Sequence, residues 1–203
     1  MATRVSVLNA ALAILGEPLM SGPNDTSSWV KKLTALYETT VVRLEGAYPW
    51  DFNATTEALA IDDTFTPITR EYAYAKPAGL LRVKMLSLTA DPEARAYYDY
   101  EDQDGRILSD ATPLYMHFHK QLLDQEGMWP EAFAFAVSTE LAWLVSPGIS
   151  KPKRDRDEIR KDKEKAWRDA KSWDASQKPH RRLPHGNIVQ SALSRTSRWA
   201  ENG

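Results

Sequence analysis

Two histidines, His117 and His119, stand two positions apart in the run LYMHFHKQ at 114–121. Side chains alternate along a strand, so both rings would share one face. That spacing can ligate a metal ion. The plainer reading, which we prefer, is a pair of edge-strand histidines beside Tyr115. Carboxylates cluster at Asp62-Asp63 and at Glu101-Asp102-Gln103-Asp104. Glycoside hydrolysis needs two carboxylates facing across a substrate, with pKa values set apart. Both clusters lie in polar turns with few apolar neighbours to desolvate them, so solvated loops are expected. The second cluster also lacks the bidentate Glu of an EF-hand calcium loop. His180 and His185 lie among Lys178, Arg181 and Arg182, a setting for an acidic partner rather than a metal. There is no phosphate-cradling glycine loop, no G-x-S-x-G and no H-E-x-x-H. No catalytic residue, metal or cofactor is therefore expected.

The elements that hold these residues change character along the chain. Apolar residues make up 42% of the 203 residues, enough for a core. No apolar run approaches the ~18 residues of a membrane span, so no membrane partner is expected. The N-terminal run is apolar, but Ser6 and Asn9 interrupt it at helical spacing, and Gly16 and Pro18 close it. It reads as a helix rather than a signal peptide. With no Cys, disulfides, thiolate nucleophiles and Cys-bound zinc are excluded, and a reducing compartment is expected. Charge is uneven. Residues 1–150 hold 11 Lys/Arg against 20 Asp/Glu, and residues 151–203 hold 15 against 8. An acidic body carries a basic C-terminal part.

Val5, Leu8, Leu12 and Leu15 recur at three- and four-residue steps and predict a first helix over 3–15, capped by Gly16. A second begins near Asp25 or Thr26 and runs to about Gly46, with Trp29, Leu33, Leu36, Val41 and Leu44 as its buried face. Tyr48, Pro49, Trp50 and Phe52 then form a structural hinge, where proline stops the helix and the aromatics anchor the exit. Short runs at 54–61, 71–77, 80–88, 96–101, 106–109 and 114–121 predict strands, and Asp104-Gly105 predicts a hairpin turn. Trp129-Pro130 opens a third helix, apolar almost all round, which Pro147-Gly148 ends. Ser150 caps a charged fourth helix over 151–175, with Ile159, Ala166, Ala170 and Trp173 as its packing stripe. The expected fold is α+β, mainly α: a four-helix bundle with a small inserted antiparallel β domain. The divisions are 1–52 and 121–175 for the bundle, 53–120 for the β domain, and 176–203 for an extended arm.

The order of motifs resembles a known family. Asn9-Ala10-Ala11-Leu12-Ala13-Ile14-Leu15-Gly16 comes first, then Tyr48-Pro49-Trp50-Asp51-Phe52-Asn53. Tyr74-Ala75-Lys76-Pro77-Ala78-Gly79-Leu80-Leu81-Arg82-Val83 follows, then Gly105-Arg106-Ile107-Leu108-Ser109-Asp110 before Leu114-Tyr115. An apolar helix from Phe133 through Leu141-Ala142-Trp143-Leu144 precedes a charged one that reaches Ala166 and Asp169-Ala170. Over residues 4–175 this resembles the head-to-tail adaptors of short-tailed bacteriophages, the tail tubular protein A and gene-four tail accessory factor family. Phe52-Asn53 stands where the family has Phe-Ala, and Pro77-Ala78-Gly79 where it has Pro-x-Asp. The resemblance implies a virion protein without enzymatic activity, present in the host cytoplasm during assembly. It implies a ring of twelve copies under the portal protein. The ring would extend the channel through which genomic DNA passes without specific binding, and carry the tail nozzle and tail fibre proteins.

It also implies a C-terminal segment that grips the portal. The residues fit that role. Arg181, Arg182, Arg195 and Arg198 would steer the arm to an acidic surface, and Leu183, Ile188, Val189, Leu193 and Trp199 would anchor it. An acidic channel wall would not hold DNA tightly, because counterion-release attraction to it is weak. A long-tailed phage adaptor would fit the same physics. Two other classes remain open: a tail-associated peptidoglycan hydrolase, and a DNA-binding protein acting through the basic arm.

Overall fold

A computed structural model describes residues 1–22, 25, 27–91, 93–148 and 153–177. The first helix, α1 (Arg4–Leu15), begins at a capping box. Thr3 Oγ1 accepts from the Ser6 N–H, and Ser6 Oγ accepts from the Thr3 N–H. It ends at Gly16, whose φ of 69° is the left-handed conformation that glycine adopts without strain. The second, α2 (Ser28–Ala47), starts later than expected. Asp25 lies outside it and accepts from the N–H groups of Ser21 and Ser27. Its buried face is Val30, Leu33, Tyr37, Val41 and Leu44, while Leu36 faces solvent. The expected stripe was one residue out of phase at its middle.

The third helix, α3 (Glu131–Val145), follows Pro130 and is buried on most of its surface. The Ser138 and Thr139 hydroxyls donate to carbonyls of their own helix, at Ala134 and Ala136, so they enter the core satisfied. The fourth, α4 (Lys153–Gln177), buries Ile159, Ala166 and Ala170. Trp173 is exposed, and the next turn of the stripe is completed by Asp174 instead. α1, α2 and α4 each pack on α3.

Six strands lie between α2 and α3: β1 (Ala54–Ala58), β2 (Tyr72–Ala75), β3 (Leu80–Ser87), β4 (Glu101–Gln103), β5 (Arg106–Ser109) and β6 (Tyr115–Lys120). They form two antiparallel sheets of three strands, ordered β1-β6-β3 and β2-β5-β4. The expected hairpin is present. Asp104 and Gly105 both have positive φ, 51° and 75°, and join β4 to β5. Leu59, Tyr74, Leu86, Ile107, Leu114, Met116 and Phe118 make a core to which both sheets contribute. A larger core joins the four helices with Trp50, Leu122 and Trp129.

This corrects the expected architecture. The fold is α+β, but it is not a four-helix bundle with a small inserted β domain. The helices share α3 as a hub, and the strands build two sheets with a core of their own. The physical reason is the pairing. β1 pairs with β6 and β2 with β5, so the strand partners are nested across the segment, and that nesting leaves no trace in local patterning. The expected strand at 96–101 is also corrected. Only an isolated bridge, Tyr97 to Leu86, forms there, and β4 starts at Glu101.

Candidate functional site

The chain passes between helices and sheets twice, at 48–53 and at 120–130, and buried polar groups gather at both crossings. At the first, Pro49 cannot continue a helix, and it forces Tyr48 into extended backbone, φ −142° and ψ 147°. The turn throws Trp50 into the core, where none of its surface is exposed. Its indole N–H donates to the Leu44 carbonyl at 3.0 Å, one of the carbonyls the end of α2 leaves unpaired. Its ring meets Tyr48, Phe133 and Trp167 edge to face at centroid distances of 4.7, 5.0 and 5.3 Å. Phe52 packs on Trp50 and Phe133. The expected hinge quartet is thus brought together, and the aromatics tie α2, α3 and α4 at one point. The Asp51 N–H donates to Asp174 of α4, which pins the turn from the other side.

At the second crossing, three buried groups face α2. The Glu45 carboxylate accepts from the Leu122 N–H at 3.1 Å and from the Trp129 indole N–H at 3.1 Å. Tyr37 donates its hydroxyl to Glu126 at 2.9 Å. Burial pushes the Glu45 carboxyl up to about 7; the two N–H donors oppose that, and the charge of Glu126 adds to it. A raised acid beside a second carboxylate is what general-acid chemistry uses. Glu45 has no exposed surface, however, so no substrate reaches it.

The two histidines are corrected. β6 is the central strand of its sheet, not an edge, and both rings are buried. They do share a face. Ser87 Oγ donates to the Thr89 carbonyl, so it accepts from His117 Nε2, and Thr56 Oγ1 donates to His117 Nδ1. A serine whose hydroxyl donates away from histidine is not activated by it. His119 Nδ1 donates to the Trp50 carbonyl and to Asn53 Oδ1. The bonds to Ser87 and Thr56 fix His117 as a neutral tautomer protonated on Nε2, and burial lowers the pKa of both rings. The unfolded chain therefore takes up protons below pH 6.5 that the folded chain refuses. Stability from these groups should fall as the pH drops through 6.5 toward the folded-state values. Replacing either histidine by Gln should flatten the pH 5–7 slope in urea titrations, by at most about tenfold in the folding constant per pH unit.

Several carboxylates of the two clusters are engaged by neighbouring side chains. Asp62 accepts from Thr64 and from Arg106, and these bonds hold it below the usual carboxylate range. Asp102 pairs with Lys76, while Arg70 gathers Asp99, Glu101 and Asp110. Among the described residues no group of three His, Cys, Asp or Glu could hold a metal ion. Arg181, Arg182, Leu183, Ile188, Val189, Leu193, Arg195, Arg198 and Trp199 lie outside the described residues. So does Ser150.

Among the hollows that open on the described surface, one of about 510 Å³ lies between α2 and residues Gln121 and Leu123, and two carry exposed apolar side chains. One, about 610 Å³, lies where α1 meets the start of α3, with Val7, Ala10 and Ala132 in its lining and Met1 and Phe135 at its edges. Phe135 is half exposed, as is Met128 nearby in sequence. The other, about 410 Å³, is lined by Leu88, Ala94, Tyr97 and Tyr98 beside the sheets, with Leu88 and Tyr98 exposed. Sequence patterning did not single out either hollow, nor Glu45, Glu126, Asn53 or Asp174. No protein-family model matches the chain, and no curated protein matches it.

Proposed function

We propose that the chain is a non-catalytic subunit of a head-to-tail adaptor ring beneath the portal of a tailed phage, extending the DNA channel and carrying tail proteins. The order of motifs over residues 4–175 suggested this reading. The observation that carries it is the pair of exposed apolar surfaces on different parts of the chain: Phe135 of α3 with Met1 just before α1, and Leu88 and Tyr98 beside the sheets. A ring of identical subunits is closed by head-to-tail contacts, and each contact joins two unlike surfaces of the same chain. Two separate apolar surfaces on one subunit fit that need. Twelve copies, the portal as template and the nozzle and fibre proteins as further partners belong to the same proposal.

The isolated chain should sediment as a single 22.9 kDa species and enter a large ring only when portal is added. Phe135→Asp and Tyr98→Asp should each abolish rings; Tyr98→Asp should change stability by less than about 0.5 kcal/mol, since its side chain is exposed, and Phe135→Asp by roughly 1–2 kcal/mol, since half of its ring is buried. Mixed together, the two variants each keep one good surface, so they should pair but not close a ring. A ring that forms at low concentration without portal, or rings that survive both substitutions, would contradict the proposal.

A further inference from the structure

We propose that the two apolar surfaces fit each other: the crest that carries Tyr98 on one copy seats in the hollow between α1 and α3 of the next copy, where Arg95 meets Glu131. This deepens the adaptor reading and rests on it for the closed ring, but the contact itself is testable without a portal. The crest is a rigid knob, because Tyr98 stands between two anchored residues. The Tyr97 N–H donates to the Leu86 carbonyl at 2.8 Å, and the Tyr97 hydroxyl lies 3.2 Å from Ser109 Oγ. Asp99 is held at 2.8 Å by Arg70, which also gathers Glu101 and Asp110. So fastened, Tyr98 still leaves 81% of its surface exposed, and its hydroxyl has no partner among the described residues. A large ring already fixed in place loses little freedom on binding, and tyrosine is among the side chains that dominate interface energies.

The hollow has room for that knob. At about 610 Å³ it is larger than one phenol ring, and the small side chains of Ala2, Ala10 and Ala132 leave the space that Met1 and Phe135 border. Ser138 also lines it. Its hydroxyl donates to the Ala134 carbonyl and keeps a lone pair to which the Tyr98 hydroxyl can donate. Charge agrees with shape. Arg95 lies beside the crest and Glu131 beside the hollow, both exposed and both without an ion-pair partner among the described residues. Each rim has one further charge of the other sign. The α-amino group of Met1 is at the hollow, and Asp99, already held by Arg70, is at the crest. A pair at the rim sets encounter and orientation more than affinity, which leaves the anchoring to Tyr98. The crest belongs to the sheets and the hollow to the helices, so the contact joins unlike surfaces. It leaves a crest free on one copy and a hollow free on the other, which is the condition for a head-to-tail series.

NMR of the full chain at concentrations rising to about 1 mM tests this, a range suited to one weak contact outside a ring. The amide signals of residues 94–99 and those of Ala10 and Ala132 should shift together, with one association constant. Arg95→Glu and Glu131→Arg should each weaken the association at least about tenfold, because each sets like charges against each other. Both sites are exposed, so both variants keep the fold. An equimolar mixture of the two should restore the parent's affinity, because the crest of each then meets the opposite charge in the hollow of the other. Tyr98→Ala should abolish the shifts at the hollow. No shift in the parent, shifts confined to one surface, single variants that associate as the parent does, or a mixture that stays dissociated would each overturn the pairing. Shifts at the hollow that survive Tyr98→Ala would overturn it in favour of another occupant, such as residues 178–203 of a neighbouring copy. With portal added, the two readings part. Rings formed by each single variant as readily as by the parent would overturn this pairing and leave the adaptor reading standing. Restored pairing in solution with no ring on the portal would overturn the adaptor reading and leave the pairing.

Discussion

Trp50→Ala should destabilise the chain by about 3–5 kcal/mol, the range for deleting a large buried aromatic. Three contributions add. The side chain is wholly buried, so its transfer free energy is lost in full. Its edge-to-face contacts to Tyr48, Phe133 and Trp167 come from three separate stretches of chain, and no one neighbour can move to fill the cavity. The Leu44 carbonyl also loses its donor at the end of α2. For a chain of this length each kcal/mol lowers the melting temperature by roughly 2–4 °C. Trp50→Phe keeps most of the ring contacts and loses the hydrogen bond, so it should fall well short of the alanine value. Calorimetry of the two variants separates packing from the bond. A loss under about 1 kcal/mol for Trp50→Ala would show that the knot is not what joins the helices.

On the adaptor proposal, removal of residues 178–203 should abolish stable portal association and leave melting nearly unchanged. Every residue of both described cores lies at or before Ala170, and α4 runs to Gln177, so a chain ending there keeps both. The deleted segment carries Lys178, Arg181, Arg182, Arg195 and Arg198 against Glu201 alone. It has few apolar residues, among them Leu183, Ile188, Val189, Leu193 and Trp199. Basic residues raise the rate of encounter with an acidic surface, and a few buried anchors set the residence time. Trp199→Ala should weaken portal binding by ~2 kcal/mol, the scale of an interface hot spot, or about thirtyfold. Equal portal affinity for the parent, the truncation and Trp199→Ala would overturn the assignment of portal docking to the C-terminal segment.

The helices were legible because each announces itself locally. Gly16, Pro49 and Pro130 mark ends through allowed backbone, which depends on few neighbours, whereas the Thr3–Ser6 capping box was not read. The Asp104-Gly105 turn was legible for the same reason. The phase of a stripe was less so. Leu36 and Tyr37 are adjacent and both apolar in part; Tyr37 turns inward with Leu33 and Val41, and its hydroxyl finds Glu126, 89 residues away. Glu45 was not legible at all. A glutamate in a helix reads as solvated, and its burial rests on donors 77 and 84 residues further on. His117 and His119 were placed on one face correctly, but an edge strand and a central strand carry the same alternation. Their burial follows from β1 and β3 closing on both sides of β6, which is a pairing and not a pattern.

α3 is the shared partner of α1, α2 and α4, yet about 80 residues of strand and turn are made between α2 and α3. At roughly 5–20 residues per second on a ribosome, that is an interval of some 4–16 s. During it, the faces carrying Leu8, Leu12, Leu33 and Val41 have no α3 to cover them. Arg43 and Glu140 then meet across a separation of 97 residues, so the helical core closes late and through long loops. A nascent chain in that condition is a client for holding chaperones. Its yield of soluble product on overexpression should be governed by the rate of synthesis, with slower translation in the cold favouring it, more than by the stability of the finished fold.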